Sequence, residues 1–306
     1  MTPEQLRASI LQYAMQGKLT DQREEDGAVD DLLEQIAVEK EQLILDKKIK
    51  RDKELPPISE DEIPFQIPAN WKWVRIGRIV RITAGGDKPS TISQDKTEAF
   101  PFPIFSNGEK NNGLFGYAAE SRIDESALTV SGRGTIGFTA IRNPGFVPIV
   151  RLLVLRSIAG VNLAFLKYAI DAMLVKSTGT SIPQLTAPMT AKLTIPLPPL
   201  AEQERIVRKI QMLNIQVEEY KLAYDSLVQL NANINSRLND SVLKYAMQGK
   251  LTNQREEDDS VEDLMTQIAT EKEQLISDKK IKREKELPPI SEDEVPFQIP
   301  SRWKRN

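Results

Sequence analysis

The chain has 306 residues, with 41 Lys and Arg against 44 Asp and Glu and with neither histidine nor cysteine. Absence of His and Cys excludes disulfide scaffolds, thiol nucleophiles, Ser-His-Asp triads and His- or Cys-ligated metals, leaving only carboxylate, lysine, tyrosine or backbone chemistry to an enzyme. The net charge of −3 hides an asymmetry of −7 over residues 1–70, +7 over 71–200 and −3 over 201–306, which points to an anion-facing middle between acidic flanks.

A short amphipathic helix is expected first. Thr2 is its N-cap, Pro3 its first helical residue and Gln5 the partner in a capping box. Leu6, Ile10, Leu11, Ala14 and Met15 follow helical spacing, and Gly17 ends the run. A second helix is expected from about Val29 to Arg51, with Leu32, Leu33, Ile36, Leu43 and Ile44 on one side. Its last turns, Lys-Lys-Ile-Lys-Arg (47–51), suit the negative end of a helix dipole. They read as a solvated helix end beside the acidic 59–62 stretch, or as a DNA-binding arm. Residues 1–54 thus form a helical segment, and residues 55–70, with prolines that force extended backbone, form an acidic linker feeding Trp71.

Residues 71–200 read as one globular α+β domain. Val74, Ile76, Ile79, Val80 and Ile82 suggest early strands, and Phe100–Phe105, Ala127–Val130, Gly137–Ile141 and Val147–Leu155 further short ones, before a helix over Leu163–Val175. Between them lie loops of small residues, amides and cations: 84–90, 107–113, 131–137, 142–143 and 177–184. Lysine and arginine can meet phosphate or guanine, while Asn and Gln can pair with adenine. On that chemistry Lys88, Ser90, Lys110, Asn111, Asn112, Arg133, Thr135, Arg142, Asn143, Thr180, Ser181 and Gln184 are the candidate DNA contacts. The 131–137 loop is no phosphate-binding P-loop, because Lys-Ser/Thr is missing from its end. Asn143-Pro-Gly-Phe146 lacks the second proline of an amino-methyltransferase motif and reads as a turn.

A long helix follows over residues 201–252. Ile206, Ile210, Leu213, Val217, Tyr220, Tyr224, Leu227, Asn231, Ile234 and Leu238 alternate in steps of four and three, an unbroken heptad seam of the coiled-coil kind or a stripe packed on the helix's own domain. Asn231 sits where a buried amide fixes register or partner choice. A rod over 203–238 would reach on the order of 50 Å, more than one turn of B-DNA at roughly 34 Å. No stretch of the sequence approaches the roughly 18 apolar residues of a membrane-spanning helix, so a soluble cytoplasmic chain is expected.

An internal repeat organises all of this. Tyr13-Ala-Met-Gln-Gly-Lys-Leu-Thr20 recurs as Tyr245-Ala-Met-Gln-Gly-Lys-Leu-Thr252, and residues 9–73 agree with residues 241–305 at 50 of 65 positions. One module therefore flanks a unique middle, and residues 253–306 are a second helical segment and shortened linker that reach Trp303. The second copy is expected to lead into a further domain, as in a longer two-part protein.

Leu197-Pro-Pro-Leu-Ala-Glu-Gln-Glu-Arg-Ile-Val207, preceded by Gly179-Thr-Ser-Ile-Pro-Gln-Leu185, closely resembles the end of a target-recognition domain in the specificity (S) subunits of Type I restriction-modification systems. Leu243-Lys-Tyr-Ala-Met-Gln-Gly-Lys-Leu251 resembles the end of that family's helical spacer. Gly85-Gly86 with Pro89-Ser90 resembles an early Gly-Gly-Thr-Pro-Ser segment, with Asp87-Lys88 in place of threonine. The likeness covers nearly the whole chain.

The resemblance implies a non-catalytic subunit in which conserved helices pack as an antiparallel coiled coil. A full-length member carries two recognition domains and reads a bipartite site in double-stranded DNA. This chain has one, so a half-length form is implied, which rebuilds the arrangement as a homodimer and reads an interrupted palindrome. Methylation (M) subunits would supply S-adenosylmethionine and adenine methylation. Restriction (R) subunits would add ATP, magnesium and cleavage, and no cofactor belongs to this chain. Its place would be the bacterial or archaeal cytoplasm, at the nucleoid. Recognition domains of this family vary with the sequence they read, so the contacts named above rest on side-chain chemistry alone. Two other readings stand beside this one: a structural coiled-coil adaptor without a DNA role, and a stand-alone DNA methyltransferase, against which the missing cofactor loop argues.

Overall fold

The computed structural model describes the chain apart from residues 52–53, 178–183, 254, 256, 259, 284, 286–287, 292–293 and 305–306, and apart from the side chains of residues 175–177. The architecture is α+β, in two compact units, Met1–Leu222 and Ala223–Asn306.

The first unit opens with α1 (Pro3–Met15). The capping box is formed: Gln5 N–H donates to Thr2 Oγ1 at 3.2 Å, and Thr2 N–H donates to Gln5 Oε1 at 2.9 Å. Gly17 closes the helix at φ 67°, and a Cβ there would lie 2.3 Å from Pro68 Cγ, so both the backbone and the returning linker require glycine. Helix α2 (Val29–Leu45) stops short of the expected Arg51. Lys47 turns left-handed at φ 54°, Lys48 N–H donates to Leu43 O at 2.9 Å and Lys47 N–H to Ile44 O at 3.0 Å. This double closure ends the helix without a glycine to signal it. Arg51 then folds back onto Glu41 at 2.7 Å.

The linker holds a single 3-10 turn, Glu60–Glu62, and is clamped by the buried Arg75. Its guanidinium donates to Glu62 Oε1 at 2.6 Å and Oε2 at 2.8 Å, to Pro56 O and Pro57 O, and to Lys192 O. The arginine and the Ser59 N–H and hydroxyl hold the Glu62 carboxyl down to a pKa of about 2.

Three sheets build the middle. β1 (Lys72–Arg75) pairs antiparallel with β9 (Thr194–Leu197), bringing the two ends of this region together. The second sheet has the order β2-β8-β5-β6, from β2 (Val80–Ala84), β8 (Leu153–Ser157), β5 (Ala127–Val130) and β6 (Thr139–Arg142), with all its neighbours antiparallel. The third, β4-β3-β7, joins β4 (Leu114–Ala118), β3 (Phe102–Phe105) and β7 (Val147–Pro148). The early apolar run is not one strand, because the helical turn α3 (Ile76–Ile79) divides it. Gly77 of α3 presses so closely on α5 (Ala187–Lys192) that a Cβ would lie 2.7 Å from Ala191 Cβ. Helix α4 (Leu163–Ser177) covers β5, β6 and β9.

One core joins the flank to the middle. Met15, Leu32 and Ile36 of α1 and α2 lie in the same buried cluster as Trp71, Leu128, Leu155, Phe165 and Ile195. The long helix α6 (Leu200–Met247) contributes Ile206 and Ile210 to it. At its heart Glu202 is fully buried and accepts hydrogen bonds from Trp71 Nε1 (2.8 Å), Gln22 Nε2 (2.7 Å) and Thr20 Oγ1 (3.1 Å). One turn on, Arg205 pairs with Asp26, whose carboxyl it holds below the usual range.

In the second unit α6 runs out to Met247 and is followed by α7 (Val261–Ser277), capped by Ser260, which accepts the Glu262 N–H at 3.1 Å. From Ala223 onward no apolar side chain is buried among the described residues. Nor, among the described residues, is any helix long and apolar enough to cross a membrane.

Candidate nucleic-acid interface

Antiparallel pairing of β2, β8, β5 and β6 sends three chain segments to one end of the second sheet. Ala84 faces Leu153, and Leu153 faces Val130, which in turn faces Thr139. The segment after β2 (Gly85–Ser90), the one before β8 (Val150–Leu152) and the turn between β5 and β6 (Ser131–Phe138) therefore share that end.

Hydrogen bonds lock them together. Gly85 N–H donates to Leu152 O at 2.8 Å, Val150 N–H to Gly86 O at 2.9 Å and Arg151 N–H to Gly85 O at 3.0 Å. A Cβ on Gly85 would lie 2.7 Å from the Pro148 carbonyl carbon, so the resemblance's first glycine has a steric reason. The loop after β3 joins through Asn107: its amide nitrogen donates to Val150 O at 2.7 Å, and its amide oxygen accepts from Gly132 N–H at 2.8 Å. Gly108 N–H adds a bond to Ser131 Oγ at 3.1 Å. Leu185 N–H donates to Gly132 O at 2.9 Å, and Arg133 donates to Gln184 Oε1 at 3.0 Å.

The sequence candidates fall into four groups on this frame. Lys88, Ser90, Arg133, Thr135 and Gln184 belong to the converging loops, with Gln184 half-buried and the others exposed. Lys110, Asn111 and Asn112 are exposed on the Asn107 loop, the two asparagines at φ 50° and 52°. Asn143 is exposed beyond β6, at the opposite end of that sheet. Arg142 is turned inward, only 3 % exposed, donating to Thr129 Oγ1 (3.0 Å) and Asn112 O (2.8 Å) and lying 3.8 Å from the Phe105 ring. Burial brings its pKa down to about 10, and its place is that of a brace under the Asn112 turn. Thr180 and Ser181 lie outside the described residues.

Much of the middle region's positive charge is consumed internally. Arg75 holds the linker, Arg81 and Arg156 both bracket Glu125 (2.8 and 3.4 Å), and Arg122 donates to Asp87 O at 2.8 Å. Lys88, Lys110, Arg133 and Arg151 are exposed and make no ion pair with a described residue; Lys88 stands 5.2 Å over the Phe115 ring. The acidic neighbours Asp87 and Glu109 temper this edge without pairing to it. Cations beside amides and an exposed aromatic ring can take phosphates and base edges. Sequence reasoning passed over Asn107 as a contact-organising residue and the Val150–Arg151 turn altogether. The turn lies inside the apolar Val147–Leu155 run, and its two central positions carry neither Gly, Asn nor Asp to mark it.

The stripe on α6 divides. Ile206, Ile210 and Val217 are buried within the first unit. Leu213 is half-buried, Tyr220 donates to Met1 O at 2.7 Å and Tyr224 is half-buried. Leu227, Asn231, Ile234 and Leu238 are exposed. The first half of the seam is thus filled by the chain itself, because α1 and the core lie alongside it.

Residues 68–223 match the family described as Type I restriction modification DNA specificity domain, and the chain belongs to that family. It is 29% identical to the Type I restriction enzyme EcoAI specificity subunit of Escherichia coli, over 98% of this chain and 61% of that protein. It is likewise 29% identical to the EcoEI specificity subunit of Escherichia coli, over 98% and 60%. The chain therefore spans about three fifths of the length of these relatives. Among solved structures it is similar to the HsdS subunit from Thermoanaerobacter tengcongensis, with a TM-score of 0.45, 22% identity and coverage of 73% of this chain and 57% of that one.

Proposed function

We propose that this chain is a non-catalytic DNA-specificity subunit of a Type I restriction-modification complex, in half-length form, with one reading domain at residues 71–200. The observation that carries the reading is the convergence of four loops at one sheet end, where Lys88, Lys110, Arg133 and Arg151 make no ion pair with a described residue while the neighbouring arginines are spent internally. Residues 1–54 and the 55–70 linker seat that domain, 201–252 form the spacer, and 253–306 repeat the seat.

A second copy of the chain supplies the other half of the site. The exposed stretch Leu227, Asn231, Ile234 and Leu238 keeps heptad spacing and offers an apolar seam with one amide, the pattern that sets register in an antiparallel pair. A two-fold dimer presents the same reading edge twice, in opposite senses, to an interrupted palindrome in duplex DNA. Methylation subunits bring S-adenosylmethionine and catalysis, restriction subunits bring ATP and magnesium, and this chain brings no cofactor, in the cytoplasm of a bacterium or archaeon.

Sequencing methylated adenines in DNA from cells carrying this chain with its methylation partner tests the whole reading. A palindromic interrupted motif is expected; a lopsided motif would remove the symmetric dimer. Binding of S-adenosylmethionine by the chain alone would favour a stand-alone methyltransferase instead. Leu227→Asp is expected to convert the dimer to monomer in sedimentation, and an unaltered dimer would place the seam elsewhere.

A further inference from the structure

Ile149–Leu152 forms a tight turn whose two central residues, Val150 and Arg151, have φ of 52° and 58°, closed by Leu152 N–H donating to Ile149 O at 3.0 Å. This is the pattern of a type I′ turn, whose central positions ordinarily belong to Gly, Asn or Asp. Valine is among the least suited residues there, because its branched Cβ crowds the carbonyl in left-handed backbone. The fold nevertheless holds the turn from every side. Gly85 O and Gly86 O accept its N–H groups, Asn107 donates to Val150 O, and Ile149 N–H donates to Phe105 O at 2.9 Å.

That effort presents two side chains outward. Val150 is 50 % exposed and Arg151 is exposed with no described partner, beside the Ser131 loop and the segment leading to Lys88. A turn needed only to connect β7 to β8 would do better with Asn-Gly. A rigid tip carrying one apolar and one forked cationic side chain matches a major-groove edge, where arginine pairs with guanine O6 and N7 and methyl groups pack on the thymine methyl. Resting on the DNA-reading role proposed above, we infer that the Val150–Arg151 turn is a specificity-determining element, with Arg151 reading a guanine and Val150 packing on a neighbouring thymine.

The full chain, complexed with its methylation subunit, is used to select duplexes from a random pool, in wild-type form and with Arg151→Lys or Val150→Asn/Arg151→Gly. The double variant is expected to melt at a higher temperature, since it relieves the turn. It should lose about tenfold or more in affinity for the wild-type motif, the order of one bidentate contact. Arg151→Lys should keep affinity for unrelated DNA while the selected motif loses its preference for guanine at one position per half-site. Unchanged motifs and unchanged affinity in both variants would overturn the inference while leaving the DNA-reading role intact. Failure of the wild-type complex to select any motif would overturn both together.

Discussion

The two copies of the repeat share 50 of 65 residues and build the same local structure, yet they live in different surroundings. Helices α2 and α7 each have 17 residues and end alike, on Lys47 and Lys279 at φ 54°. Gly17 and Gly249, at φ 67° and 65°, each receive a proline, Pro68 or Pro300, within 2.3 Å of a hypothetical Cβ. Burial is where they part. Trp71 is 3 % exposed and Trp303 39 %; Leu32 is 4 % and Leu264 55 %; Ile36 is 1 % and Ile268 48 %. Local sequence sets caps, helix ends and linker return in both copies. The remote residues Glu202 and Arg205 of α6 and Phe165 of α4 decide whether the helices of copy one have a core to join.

The largest effect should therefore come from breaking one copy and not the other. Trp71→Ala removes a buried indole and one of the three donors to Glu202, and should cost about 3–5 kcal/mol. Trp303→Ala, at a half-exposed site, should stay within about 0.5 kcal/mol. Denaturant titration of the two variants, followed by circular dichroism, checks the difference. Equal losses would mean that copy two is packed on an equivalent surface in solution.

The same contrast bears on how much the sequence disclosed. Capping box, Gly17 stop, proline linker, short strands and the long helix were all legible, because each depends on residues close in sequence. The end of α2 was not, since a lysine takes the left-handed position that glycine usually marks. The division of Val147–Leu155 into β7 and β8 was hidden for the same reason at Val150–Arg151. At the candidate site the loops could be named but not their convergence, which depends on strand order and on Asn107 bridging two segments. Arg142 shows the limit of side-chain chemistry as a guide: its type suits DNA, but strand alternation aims it at Thr129 and Phe105. The heptad period defined a stripe on α6 without saying that its first half is covered by the chain itself.

A middle-sized effect should come from Glu202, which acts on copy one only. Burial pushes its carboxyl above the ordinary 4.5, against the opposing pull of Trp71, Gln22 and Thr20. A raised folded-state value means the protonated form is favoured on folding. Its contribution to stability is complete below 4.5 and is lost as pH rises through the folded value. Glu202→Gln removes that dependence, so stability measured from neutral pH down toward 4.5 should rise less steeply than in the wild type. At neutral pH the amide leaves one donor poorly matched, a loss of about 1–3 kcal/mol, offset by relief of the buried charge. An identical slope in the two proteins would mean that Glu202 stays ionised throughout.

The smallest effect sharpens the comparison at the linker. Glu62 is held at about 2 by Arg75 first and by Ser59 second, whereas Glu294, its counterpart in copy two, is lowered by Ser291 alone. For a depressed carboxylate the stabilisation is present above its ordinary 4.5 and is lost as pH falls toward the folded value. The linker of copy one should thus hold on the domain down through that window and release toward pH 2. The ring of Phe65 lies 5.1 Å from that of Trp73, so indole fluorescence reports the release. Glu62→Gln should abolish the fluorescence transition, because a neutral amide does not titrate and cannot hold the Arg75 fork with the same charge assistance at any pH. Glu294→Gln should leave it where it is. An unchanged transition in both variants would assign it to some other group rather than to the Arg75 clamp, and would leave the linker of copy one no better anchored than that of copy two.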